Sequence, residues 1–257
     1  MSSDMIKLKK DKLDIEIFPT REEMGKAAAL EACEYLNGIL SRKEEINVVF
    51  AAAPSQNDML AALSGMDIPW ERINAWHMDE YVGLAKTDPR SFAWYLDEHI
   101  FKLVPFKSVH YIAEGGATAE EMCDNYSREL GKIHVDVVFM GVGENGHIAF
   151  NDPAFAKFDD PLNVKIVELD EVCRMQQVHD GCFPSLDDVP THAITLTIPT
   201  LMGADRLLNV VPTAYKAEAV RRIVEWEITE DCPATICRLH DNATLYLDEN
   251  SAGLILK

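Results

Sequence analysis

No apolar run in the chain approaches the roughly 18 residues of a membrane-spanning helix. The N-terminal stretch MSSDMIKLKKDKLDIEIF has no apolar centre of the kind a secretory signal carries, so no leader is expected. Basic residues are scarce: 24 Lys and Arg stand against 43 Asp and Glu, a formal net charge of −19. Nucleic acid and anionic membranes are recognised by clustered cations, so neither is expected as a partner. A small anionic substrate stays open, because a few local donors outweigh a global field. The six cysteines, Cys33, Cys123, Cys173, Cys182, Cys232 and Cys237, form no CxxC pair and are scattered. They read as reduced thiols in a cytoplasmic protein. HxH, HExxH and Cys/His spacings are missing, which argues against a metal centre. So is the GxSxG elbow of a Ser-His-Asp hydrolase. No repeat, low-complexity tract or linker interrupts the chain.

What is present is ordinary globular material: 257 residues, 47% hydrophobic and 26% charged. That is enough for one large domain with a sizeable core. Thr20-Arg-Glu-Glu23 is a capping box ahead of an alanine-rich helix reaching about residue 42, and Thr118-Ala-Glu-Glu121 is another, ahead of a helix to about Leu130. Short apolar, β-branched runs at 46–52, 72–78, 134–142, 192–198, 205–211 and 243–249 read as strands. Helical stretches follow at 91–101 and 213–226. The alternation predicts an α/β fold: a Rossmann-like, mostly parallel sheet with helices on both faces, as a single domain over 1–257. Residues 151–191 look least regular, with Pro153, Pro161, Pro184 and Pro190, and a lid segment is expected over about 157–190.

Ligands of open α/β sheets bind beyond the carboxyl ends of the strands. There the sequence offers Ala53-Pro-Ser-Gln-Asn57, then Asp79-Glu80-Tyr81, then Gly141-Val-Gly-Glu-Asn-Gly-His147, then Pro212-Thr-Ala-Tyr-Lys216. One crevice would hold two carboxylates, a histidine, a lysine and free backbone N–H groups. That set suits proton transfer on a small anion. Each member also has an ordinary reading: Asp79 as a turn former, Lys216 as a solvated charge, His147 as a structural imidazole. Gly141, Gly143 and Gly146 spell G-x-G-x-x-G, but His-Ile-Ala-Phe-Asn-Asp-Pro is a poor helix start, which argues against a dinucleotide site.

Three motifs together, Met78-Asp-Glu-Tyr-Val-Gly-Leu84, Asp88-Pro-Arg-Ser-Phe92 and Gly141-Val-Gly-Glu-Asn-Gly-His-Ile-Ala-Phe-Asn-Asp-Pro153, resemble the glucosamine-6-phosphate deaminase/isomerase family in order and spacing. The likeness covers nearly the whole chain. The related 6-phosphogluconolactonases share the fold, but their first motif runs Asp-Glu-Arg, so MDEYVGL favours the deaminase branch. The resemblance implies opening of a hexosamine 6-phosphate ring, aldose–ketose isomerisation through an enolamine and release of ammonia, with no metal and no organic cofactor. It implies that Asp79 is the base between C2 and C1 and that His147 protonates the ring oxygen. Asp152, in the place of a family glutamate, would orient the histidine with help from Asn145, and Lys216 would bind phosphate. Ser55, Gln56, Gly143 and Arg174 complete the expected substrate contacts. Two departures stand out. The family's glycine-containing phosphate loop reads Ala52-Ala53-Pro54-Ser55-Gln56 here, and its phosphate-binding arginine falls nearer Gln177. A lactone hydrolase and a non-catalytic sugar-phosphate sensor are the rival expectations, and homo-oligomerisation is left open.

Overall fold

The computed structural model describes residues 5–256; residues 1–4 of the N-terminal stretch read above for a leader lie outside the described residues. Among the described residues eleven strands form: β1 Ile6–Lys10, β2 Leu13–Phe18, β3 Ile46–Phe50, β4 Ile73–His77, β5 Asp79–Tyr81, β6 Ser108–His110, β7 Val137–Met140, β8 Val164–Glu168, β9 His192–Leu196, β10 Arg206–Val211 and β11 Ala243–Asp248. The principal helices are α1 Arg21–Leu40, α2 Asn57–Ser64, α3 Phe92–Leu96, α4 Ala119–Leu130, α5 Glu171–His179, α6 Ile198–Met202 and α7 Ala217–Glu225. The main sheet has the order β1-β2-β11-β10-β7-β3-β4-β6. It is parallel from β2 through β6, and only the edge strand β1 runs antiparallel.

The apolar runs read as strands because both faces of this sheet are covered. β7, β10 and β11 are buried at every position. Successive side chains point to opposite faces, which splits the core in two. Val48, Phe50, Phe139, Leu208 and Val210 pack under α1 and α2, while Val49, Val138, Met140, Leu207 and Val211 pack on the other face with α7. Each such side chain, taken fully out of water, contributes about 1.5–3 kcal/mol. Both capping boxes form: Thr20 accepts from the Glu23 N–H and Thr118 from the Glu121 N–H.

Three expectations change. The segment 192–198 is a strand, but it belongs to a second, antiparallel sheet of order β5-β9-β8. Its register sets Asp79 opposite Thr195. The stretch 151–191 is not irregular: it contains β8 and α5. In β8 only Val164 and Val167 are buried, so its apolar signal is diluted. Helix α5 starts where Asp170 accepts from the Cys173 N–H at 2.7 Å, a capping signal that charged neighbours obscured. Finally, residues 6–18 form a hairpin whose turn residue Asp11 adopts φ 53°, and β2 then joins β11 in parallel. No helix among the described residues is long and apolar enough to cross a membrane.

Chain order proceeds from β3 outward to β4 and β6, then returns to β7 on the other side of β3. The carboxyl ends of β3 and β7 therefore diverge into a crevice, the usual ligand position of such sheets.

Candidate active site

The crevice is lined by the segments that leave β3 (Ala51–Ser55), β4 (Met78, Asp79), β7 (Gly141–Gly143) and β10 (Pro212, Thr213, Lys216), with His147 among them. Phe92 and Phe150, stacked at 5.6 Å, form part of its wall. Helix α5 contributes Gln176 and Gln177 to the lining, with Asp180 just beyond its end.

His147 is held by an acceptor network on one ring nitrogen. Its Nδ1 lies 2.7 Å from Asn145 Oδ1 and 3.0 Å from Asp152 Oδ1. Both neighbours accept, so Nδ1 carries the proton, and Nε2 is the ring nitrogen left for other chemistry. Asn145 also accepts from the His147 backbone N–H and donates to Asp152 at 2.8 Å. Neither Asn145 nor Asp152 lines the cleft; both contact the imidazole. Asp152 is fully buried. Burial works to raise its pKa, but the His147 ring, Asn145 and the Cys173 thiol outweigh it and hold the carboxyl below its ordinary value. Asp152 touches the imidazole with no atom between them.

Gly143 serves differently from the expected substrate contact. Its N–H donates to the His147 carbonyl at 2.9 Å. A Cβ there would fall 2.1 Å from the His147 ring. The glycine makes room for the imidazole. Gly143→Ala should leave the fold intact and displace the ring, lowering kcat by roughly 100-fold, as misplacements of about 1 Å do; steady-state rates beside a thermal melt check this, and an unchanged kcat would contradict it.

Asp79 and Glu80 are adjacent carboxylates with opposite surroundings. Asp79 faces the cleft and receives no hydrogen bond from the described residues. Burial, and secondarily the charge of Glu80, push its pKa well above the ordinary value. Glu80 does not enter the cleft, which corrects the expectation of two carboxylates from this motif. It accepts from the N–H groups of Tyr81, Phe92 and Ala93 at 2.9, 3.0 and 2.9 Å, fastening β5 to the start of α3. Glu80→Gln should therefore cost about 1–3 kcal/mol of stability in a urea titration, with turnover per folded molecule unchanged.

Lys216 lines the cleft and is nearly buried. Burial lowers its pKa, and the charges of Asp180 and Glu144 oppose that shift. It ends a short turn ahead of α7, after Thr213 at φ 79°, a strained value for a β-branched residue. Ala149, also lining the cleft, has φ 49°. Backbone strain of this kind gathers at functional sites. Ser55 lines the cleft as expected, and its Oγ accepts from Gln56 Nε2 at 2.9 Å, which leaves the hydroxyl proton for a ligand.

Two expected contacts are elsewhere. Gln56 is fully buried and bridges Ser55 to the Val210 carbonyl at 3.2 Å. Arg174 does not line the cleft; its guanidinium donates to the Leu186 and Val189 carbonyls at 2.7 and 3.0 Å. Conversely, Arg21, Gln176, Asp180 and Thr213 line it without having been singled out, beside Gln177, which stands nearest the expected arginine. Arg21 was visible only as part of a capping box.

Among the described residues, two groups of side chains stand close enough to share a cation: His147 with Asp152 and Cys173, and His134 with Asp136 and Asp205. The first would have to surrender the Nδ1 proton and the Asn145 bonds that fix the ring. The second already holds the Lys43 ammonium, which bonds both of its carboxylates.

The sequence model for glucosamine-6-phosphate isomerases and 6-phosphogluconolactonases matches residues 19–246. The chain belongs to this family. Within the glucosamine-6-phosphate isomerase/6-phosphogluconolactonase family, it is 34% identical over 243 residues to a glucosamine-6-phosphate deaminase of Bacillus cereus (strain B4264), covering 94% of this chain and 89% of that one. The same identity and coverage hold for a glucosamine-6-phosphate deaminase of Bacillus anthracis (strain A0248). Among solved structures, a monomeric glucosamine-6-phosphate deaminase superposes with a TM-score of 0.84 at 27% identity, over 93% of this chain and 99% of that one. A 6-phosphogluconolactonase from Thermotoga maritima gives 0.74 at 20% identity, over 91% and 98%, and shares the fold.

Proposed function

We propose that this chain converts a hexosamine 6-phosphate, of glucosamine or galactosamine, into a ketose 6-phosphate and ammonia. The observation that carries the reading is the pairing in one cleft of Asp79, a buried carboxylate that takes no hydrogen bond from the described residues, with an imidazole whose Nδ1 is fixed by Asn145 and Asp152. A family member that only hydrolysed a lactone would have no use for a base beside the histidine.

In this reading the sugar phosphate lies with its phosphate toward Lys216 and the Ser55 hydroxyl, and its ring between Asp79 and His147. His147, acting as an imidazolium supported by Asp152, gives its Nε2 proton to the ring oxygen as the bond from C1 to that oxygen breaks, and the C1 hydroxyl passes its proton to water. The open form is an aldehyde bearing an amine at C2. Asp79 removes the C2 proton while water returns a proton to the C1 oxygen, forming the enolamine, and Asp79 then delivers its proton to C1. C2 is then an iminium, which water hydrolyses to the ketone and ammonia. Burial suits Asp79 to this work, because a carboxylate with a raised pKa is a stronger base. The chemistry calls on the chain, the substrate and water. We place the protein in the cytoplasm, where its six cysteines, all unpaired, stay reduced.

The test is to incubate purified protein with glucosamine 6-phosphate, galactosamine 6-phosphate and 6-phosphogluconolactone in parallel. Ammonia from a hexosamine phosphate supports the reading. Lactone hydrolysis without ammonia transfers the site to the lactonase reaction, and tight binding of all three without turnover makes it a sensor.

A further inference from the structure

We propose that Arg21 is the second cation of the substrate's anion subsite, acting with Lys216 and the Ser55 hydroxyl. The inference rests on reading the cleft as a sugar-phosphate site. The loop after β3 carries Pro54, which has no N–H to offer an anion, and the position nearest the expected arginine is the uncharged Gln177. Lys216 is left with a dianion to hold while Asp180 shares its field. One lysine so placed is a weak phosphate site.

Arg21 lines the same cleft from the first turn of α1. Its guanidinium is aimed by two bonds on one side: Nε donates to Asp58 Oδ2 at 2.5 Å, and Nη2 donates to the Pro54 carbonyl. Nη1 makes no hydrogen bond within the described residues. The mounting is close-packed. A Cβ on Gly25 would come within 2.6 Å of Asp58 Cβ, so a glycine on α1 lets Asp58 approach. From the other side, the Tyr95 hydroxyl donates to the Ala53 carbonyl at 2.8 Å, fixing the loop that Arg21 grips. A purely structural brace would be complete with Nε and Nη2 alone. What a brace does not explain is the position of the residue on the cleft wall, beside Ser55 and with one amino group unused. A planar guanidinium held in this way presents its remaining N–H bonds in a fixed direction, the geometry that phosphate oxygens accept.

The probe is inorganic phosphate, titrated calorimetrically into the full chain. Arg21→Met keeps most of the stem and removes the charge. It should weaken phosphate binding roughly 10- to 100-fold, the loss of one or two charge-assisted hydrogen bonds, and raise KM for glucosamine 6-phosphate comparably with kcat nearly unchanged. Arg21→Lys should recover only part of the affinity. An unchanged phosphate affinity in a destabilised Arg21→Met protein would reduce Arg21 to a brace and overturn the proposal. So would the absence of phosphate binding by the unaltered chain. If the methionine variant fails to fold, the unaltered protein is treated with phenylglyoxal with and without phosphate, and modification of Arg21 is read by peptide mass spectrometry. Protection by phosphate is expected; equal modification overturns the proposal. Inorganic phosphate is not turned over, so the result stands apart from whether ammonia is released.

Discussion

Asp79→Asn should lower ammonia release from a hexosamine 6-phosphate by roughly 100- to 10,000-fold, the usual worth of a positioned base, while the substrate still binds. The side chains are nearly isosteric, and the Asp79 carboxylate takes no hydrogen bond from the described residues, so the variant breaks no internal contact. What disappears is the only feature of the position that the reaction needs, an oxygen that can take a proton from C2 and give one to C1. Burial has already weakened the carboxylate's hold on its charge, and for the same reason an amide is readily accommodated. The measurement is exchange of the C2 hydrogen in D2O, followed by NMR, together with ammonia release. Full exchange in Asp79→Asn would remove Asp79 from the base role, whatever happened to overall turnover. The neighbouring Glu80→Gln supplies the contrast, since it should lose stability and keep turnover.

The second large effect is expected at the His147–Asp152 pair. His147→Gln should slow turnover of the cyclic sugar by roughly 100- to 10,000-fold, with a much smaller loss on an acyclic analogue that needs no ring opening. Equal losses on both would assign the histidine a broader role. Asp152→Asn should cost less, roughly 10- to 100-fold, as orienting partners do, because Asn145 still accepts from Nδ1. The same substitution has a pH signature. The carboxyl of Asp152 is held below its unfolded value of about 3.9. A depressed carboxyl stabilises the fold above the unfolded pKa, and that contribution fades as pH falls through the folded one. The unaltered protein should therefore lose stability on acidification more steeply than Asp152→Asn, as read by melting temperature against pH below about 4.

Much of this was legible in the sequence, for reasons that are local. The strand runs at 46–50, 73–77, 137–140, 206–211 and 243–248 are buried on both faces, so their apolar continuity survives in one dimension. Asp79, His147 and Lys216 follow strand ends, and the topology of a parallel sheet carries such residues to one edge. What failed depends on direction and on distance along the chain. Gln56 and Arg174 sit in the right segments, but one turns to the Val210 carbonyl and the other to carbonyls of 186 and 189. Sequence gives a residue's place without its side-chain heading. Gly143, expected as a substrate contact, does line the cleft, but the clearance that His147 demands of it appears only once the loop is folded. Arg21 reaches the cleft across 33 residues of chain to Pro54 and 37 to Asp58, a proximity that no spacing rule encodes. The second sheet was missed because β5 is three residues long and β8 has only two fully buried positions.

The most direct measurement of the central claim is a single NMR experiment on the unaltered protein with glucosamine 6-phosphate and galactosamine 6-phosphate in D2O. The account predicts equimolar ketose 6-phosphate and ammonia from at least one of them, with deuterium incorporated at C1 of the ketose through the Asp79 transfer. Both hexosamine phosphates recovered unchanged, without ammonia and without exchange at C2, would contradict it.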